Sequence, residues 1–100
     1  MTELNGMTVL IVDDHETMCR SIQKMMVVSG YGKKFFYAHN GEDALAILHS
    51  KPIELILLDY NMPGMTGAEV LSHIRDDREL RDLPVLMVTG QAFGDYVAEA

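Results

Sequence analysis

Cysteine occurs once in this 100-residue chain, at Cys19, and that excludes an internal disulfide. The fold must therefore rest on a packed core, and the chain is expected in a reducing compartment, the cytoplasm. Long apolar runs are lacking too. The longest, Ile53 to Leu58 and Val85 to Val88, are strand-sized and far too short to cross a bilayer. The first residues, Met1 to Gly6, lack a basic region followed by an apolar stretch, so no signal peptide is expected. Bases are scarce, at 8 Lys and Arg against 15 acids. No cluster of them is dense enough to track a nucleic-acid backbone, which argues against direct DNA or RNA binding. Gly-rich phosphate loops of the Rossmann or Walker type, internal repeats and low-complexity segments are absent as well.

What remains is the composition of one ordinary globular domain, with 48% hydrophobic and 23% charged residues. The net charge of −7 is uneven: residues 1–50 carry six acids and four bases, residues 51–100 nine and four. Such a balance suits a bound cation or basic protein partners, and equally serves solubility alone.

Strand and helix patterns alternate along the chain. Met7 to Val12 is a strand-like run closed by two acids, and His15 to Ser29 sets Met18, Ile22, Met25 and Met26 at helical spacing before a stop at Gly30. Lys33 to Ala38 reads as a more exposed strand. Asn40 can cap a helix with Ala44, Leu45 and Leu48 inside, ended by Lys51 and Pro52. Ile53 to Leu58 is the most apolar strand and stops at Asp59. Thr66 and Glu69 form a capping-box signature for the helix of Val70 to Arg75, followed by a charged, solvated stretch from Asp76 to Asp82. Pro84 to Val88 reads as a fourth strand ending at Thr89, and a last helix is expected from near Ala92. This rhythm predicts an α/β fold, a parallel sheet covered on both faces.

Three of the four strands run into polar residues: Asp13-Asp14, Asp59 and Thr89. In an open parallel sheet the C-terminal strand ends share one edge, and right-handed crossovers bring these residues to one small site. Crowded carboxylates must protonate or share a cation, and hard oxygen donors with room for water suit Mg²⁺ better than Zn²⁺. A carboxylate beside such an ion can attack phosphorus, with positioning and charge neutralisation supplying most of the catalysis. Each piece also has a plainer use. An acid after a strand often caps a helix, as Asp14 can, and a strand-end threonine is commonly structural. His15, His39, His49 and His73 show no metal-ligand spacing and read as surface residues, while the eight methionines read as core filler.

Three blocks carry a family resemblance: Val9-Leu10-Ile11-Val12-Asp13-Asp14-His15, then Leu55-Ile56-Leu57-Leu58-Asp59-Tyr60-Asn61-Met62-Pro63-Gly64-Met65-Thr66-Gly67, then Pro84-Val85-Leu86-Met87-Val88-Thr89-Gly90. In order and spacing, including 30 residues from Asp59 to Thr89, the chain resembles the receiver domain of two-component response regulators from about Met7 onward. The resemblance implies a flavodoxin-like, doubly wound parallel sheet. Asp59 would accept a phosphoryl group from a phosphohistidine on a sensor histidine kinase or phosphotransfer protein. Asp14 and Asp59 would bind Mg²⁺ directly, Asp13 largely through water, and Asn61 through its backbone carbonyl. Thr89 would be the switch hydroxyl with Gly90 beside it, and Asn61, Gln91, Met62 and Pro63 would flank the site. Apart from its own phosphorylation and dephosphorylation, such a domain is a signalling phosphoacceptor and not an enzyme. A haloacid-dehalogenase-type hydrolase would want an aspartate where Asn61 stands, which sets that reading aside.

Receivers continue with a fifth strand and helix, roughly 20–25 further residues, and carry a phosphate-binding lysine at the end of that strand. None of Lys24, Lys33, Lys34 and Lys51 can replace it. On this reading residues 1–100 form a receiver incomplete at its C-terminus, with strand order 2-1-3-4. Phosphorylation is expected to be impaired, leaving an interaction or dimerisation fragment as the alternative. The fourth strand would be a bare apolar edge, inviting a homodimer through it and the following segment.

Overall fold

The computed structural model describes residues 6–88 and, for residues 97–99, the course of the backbone. The elements are β1 (Thr8–Val12), α1 (Glu16–Val28), β2 (Lys34–Ala38), α2 (Gly41–Ser50), β3 (Leu55–Asp59), α3 (Gly67–Asp76), β4 (Val85–Val88) and β5 (Val97–Glu99). β1 lies between β2 and β3, with β4 beyond β3, all parallel, which is the expected order 2-1-3-4.

Period-two alternation divides the apolar strand residues between two cores. Leu10, Val12, Ile56, Leu58, Val85 and Met87 pack with Ala44 and Leu48 of α2 and Val70 and Ile74 of α3. Val9, Ile11, Leu57 and Val88 pack with Cys19 and Ile22 of α1. The central strands β1 and β3 are thus covered on both sides, while β2 is an exposed edge strand with only Ala38 buried.

Local chemistry sets the helix ends. The Asn40 side chain accepts from the Asp43 N–H at 2.8 Å, and Thr66 and Glu69 close the expected capping box at the start of α3. Two side-chain expectations need correction. Met25 points outward from α1, and the smaller Cys19 occupies the inner face with Ile22. The stretch after α3 is not wholly solvated, because Leu80 is buried in the larger core and Arg75 donates to the backbone carbonyls of Arg81 and Leu83.

The other correction concerns the edge. The helix expected from near Ala92 begins on residues outside those described, but Val97–Glu99 form a strand, antiparallel to β4 with Val88 opposite Val97. The β4 edge is therefore paired over Leu86–Val88, which removes the physical ground for a homodimer through a bare fourth strand. No helix among the described residues is long and apolar enough to cross a membrane.

Candidate functional site

The ladder between β1 and β3 pairs Val12 with Leu58, so the next residues along, Asp13 and Asp59, emerge side by side at the C-terminal edge. Val9, Ile11 and Leu57 face α1, and continued alternation turns both carboxylates to that same side. Both are buried, at 4% and 5% exposure, although they are the kind of group that normally stays in water.

Each carboxylate is held by its own loop. Asp13 Oδ1 accepts from the His15 N–H at 2.9 Å, turning the chain from β1 into α1. The Asp13 N–H donates to Ala38 of β2 at 3.0 Å, and the Asp13 carbonyl meets the Cys19 thiol and, at 3.0 Å, His39 Nδ1. Asp59 Oδ1 accepts from the Asn61 N–H at 3.2 Å. Behind it, Gly67 packs directly on the Asp59 carbonyl, where a Cβ would collide with the backbone oxygen. Of the flanking residues, Asn61 and Pro63 are exposed, whereas Met62 is a core side chain at 5% exposure.

Burial and, after it, the Asp13 charge push the Asp59 carboxyl up from 3.8 to about 6; Asp14 adds to this, while the Asn61 N–H and His15 oppose it. Burial and, after it, the charges of Asp13, Glu16 and Asp59 raise the Cys19 thiol to about 11, which keeps it neutral and unreactive. Asp14 Oδ1 is buried without a hydrogen-bond partner. His15 Nδ1 lies 3.2 Å from that oxygen, outside hydrogen-bonding geometry, and 3.3 Å from Asp13 Oδ1. Ligand atoms of Asp13, Asp14 and His15 lie within 4.8 Å of one another. An orphaned buried oxygen among mutually repelling hard-oxygen donors fits a divalent cation of the Mg²⁺ class.

Of the expected residues, Asp13 and Asp59 emerge side by side, Asp14 adds its charge to Asp59, and Asn61 reaches Asp59 through its N–H; the closest ligand group among the described residues is Asp13, Asp14 and His15, without Asp59. Thr89, Gly90 and Gln91 lie outside the described residues; their neighbour Val88 pairs with Asp59. The four histidines are exposed, as expected of surface residues, yet two of them, His15 and His39, also stand against Asp13. His39 stands after β2, the strand beside β1, and His15 directly follows the acid pair; strand-end position, and not His-to-His spacing, was the usable signal.

Comparison with known proteins agrees with this geometry. Residues 9–100 match the model of the response regulator receiver domain. The chain is 44% identical over 94 residues to the chemotaxis protein CheY of Pseudomonas aeruginosa, covering 94% of this chain and 75% of that one. Among solved structures it resembles the N-terminal domain of a response regulator receiver protein from Methanoculleus marisnigri JR1, with a TM-score of 0.76 and 38% identity. The match covers 83% of this chain and 66% of that one, just under two thirds of its length. It also resembles the Mn²⁺-bound form of the response regulator Rcp1, with a TM-score of 0.73, 30% identity and coverage of 83% and 65%. By its fold, the acidic edge of its sheet and this match over nearly its whole length, the chain belongs to the response regulator receiver domain family.

Proposed function

We propose that this receiver domain is a cytoplasmic phosphoacceptor of two-component signalling, with Asp59 taking a phosphoryl group from a phosphohistidine of a sensor kinase or phosphotransfer protein. The observation that carries this reading is the buried Asp59 carboxylate beside Asp13 and Asp14 at the sheet edge. An Asp59 oxygen forms the new bond to phosphorus as the phosphorus–nitrogen bond breaks, and the departing imidazole takes up a proton. With its carboxyl pushed to about 6, Asp59 is mainly ionised at neutral pH and available as the nucleophile.

Asp14 and Asp59 would hold Mg²⁺ directly, Asp13 through water and Asn61 by its backbone carbonyl. When bound, the ion neutralises carboxylate and phosphoryl charge. A divalent cation is in keeping with the similar response regulator Rcp1, which has a Mn²⁺-bound form. The remaining work falls to the chain: the Asn61 N–H fixes one Asp59 oxygen, and the packing of Gly67 fixes its backbone. Thr89 would act as the switch hydroxyl, a role that rests on its place in the third motif.

Incubation with acetyl phosphate and Mg²⁺, followed over hours by intact mass, tests the assignment. One phosphoryl adduct should form, be lost in the Asp59→Asn variant and fail to form in EDTA. An adduct that survives Asp59→Asn would remove Asp59 from the role.

A further inference from the structure

The residue directly after the acid pair has a geometry that the phosphoacceptor reading does not use. His15 occupies the position before α1, with extended backbone (φ −106, ψ 114) and no side-chain cap on the helix. Its ring turns instead onto the carboxylates, with Nδ1 3.3 Å from Asp13 Oδ1 and 3.2 Å from the orphaned Asp14 Oδ1. Neighbouring ligands of a six-coordinate ion with bonds of about 2.1 Å are separated by about 3.0 Å, close to the separation between His15 Nδ1 and Asp14 Oδ1, the carboxylate read above as a direct ligand. The second nearby histidine is engaged elsewhere: His39 Nδ1 faces the Asp13 carbonyl and not a carboxylate. His15 is also reachable from solvent, with its side chain 74% exposed.

We propose that His15 is an additional protein ligand of the divalent-cation site, through Nδ1, and that it tilts the site's preference away from Mg²⁺ toward nitrogen-accepting ions such as Mn²⁺, Co²⁺ and Ni²⁺. This rests on the cation reading of the acidic cluster given above. Mg²⁺ binds oxygen and holds its waters, so an imidazole gives it little. Ions later in the first transition row bind imidazole progressively more strongly, so the same nitrogen adds to their affinity. The loop enforces this arrangement, because the His15 N–H holds Asp13 Oδ1 at 2.9 Å and so keeps that oxygen beside the His15 ring.

The test uses the metals alone, without a phosphodonor. Electron spin echo modulation of bound Mn²⁺ should show an imidazole nitrogen in the wild-type chain and in His39→Ala, and none in His15→Ala. Calorimetric titration should show His15→Ala losing about tenfold or more in Co²⁺ and Ni²⁺ affinity while Mg²⁺ affinity stays near its starting value. Wild-type Mn²⁺ without a nitrogen signal, a signal that disappears only in His39→Ala, or equal losses for all three metals would overturn the proposal while leaving the cation site standing. Failure of the wild-type chain to bind either Mg²⁺ or Mn²⁺ would overturn the cation reading itself, and the role of His15 with it.

Discussion

Asp59 and Gly67 meet at a single point, and each constrains what the other can be. Burial and Asp13 hold the Asp59 carboxyl at about 6 in the folded chain against an ordinary 3.8. The folded state therefore binds this proton more tightly than the unfolded state does. The stability cost of ionising Asp59 begins as pH rises past 3.8 and is complete above about 6. Asp59→Asn should consequently stabilise the metal-free chain at pH 7.5 by on the order of 2 kcal/mol. The gain should shrink toward zero near pH 4 and in the presence of Mg²⁺; urea unfolding in each condition checks this, and an equal gain throughout would refute it. Gly67→Ala should act in the opposite direction. Its Cβ would overlap the Asp59 carbonyl and lie 2.8 Å from Tyr60 Cα, backbone atoms that cannot swing aside. A loss of about 1–3 kcal/mol is expected, read as a lowered melting temperature.

Helix ends decide how the elements lock together. Thr66→Ala removes the capping box that starts α3 and should cost about 1 kcal/mol in chemical unfolding. At the far ends of α2 and α3 a second device appears. His49 Nε2 contacts Asp77 Oδ2 at 2.6 Å while its Nδ1 faces the Leu45 carbonyl at 2.9 Å. Both ring nitrogens meet acceptors, so the charged imidazolium satisfies both contacts. The Asp77 hydrogen bond, the Leu45 carbonyl and the nearby Asp77 and Glu79 charges raise His49 above its ordinary 6.5, and the His49 hydrogen bond lowers Asp77. The histidine contribution is complete below 6.5 and is lost as pH rises through the raised value; the Asp77 contribution is lost as pH falls through its lowered value. NMR titration should place His49 above 6.5, and Asp77→Asn should bring it back toward that value. An unchanged His49 titration in the variant would show that the pair does not couple.

At the scale of the whole molecule, the cation site and the fold share one free energy. An ion that binds only the folded chain adds about 2.7 kcal/mol at a hundredfold excess over its Kd, roughly 10 °C or more in melting temperature for a domain of this size. Titrating Mg²⁺ against an EDTA control should show that rise. Asp14→Asn, which removes one charge from the cluster, should flatten it. The fold itself was largely legible beforehand. β1 and β3 announce themselves as apolar runs stopped by acids, and the Asn40 cap and Thr66–Glu69 box mark helix starts whose chemistry is local. Less legible were side chains whose place depends on distant packing. Leu80 sits in a charged stretch yet is buried, Met25 follows the helical spacing yet faces out, and Met62 lies in a site motif yet belongs to the core.

Sequence alone determined the alternation of strands and helices and the acids at strand ends, because hydrophobic period, caps and turns are properties of neighbouring residues. It also determined which residues would be candidates at the site. Tertiary structure decided which of them touch. The β1–β3 register sets Asp13 beside Asp59, and the turn into α1 brings His15 over the acid pair. The pairing of His49 with Asp77 and of β5 with β4 likewise joins segments far apart in sequence. Such contacts are fixed by packing and strand register, which no local pattern encodes.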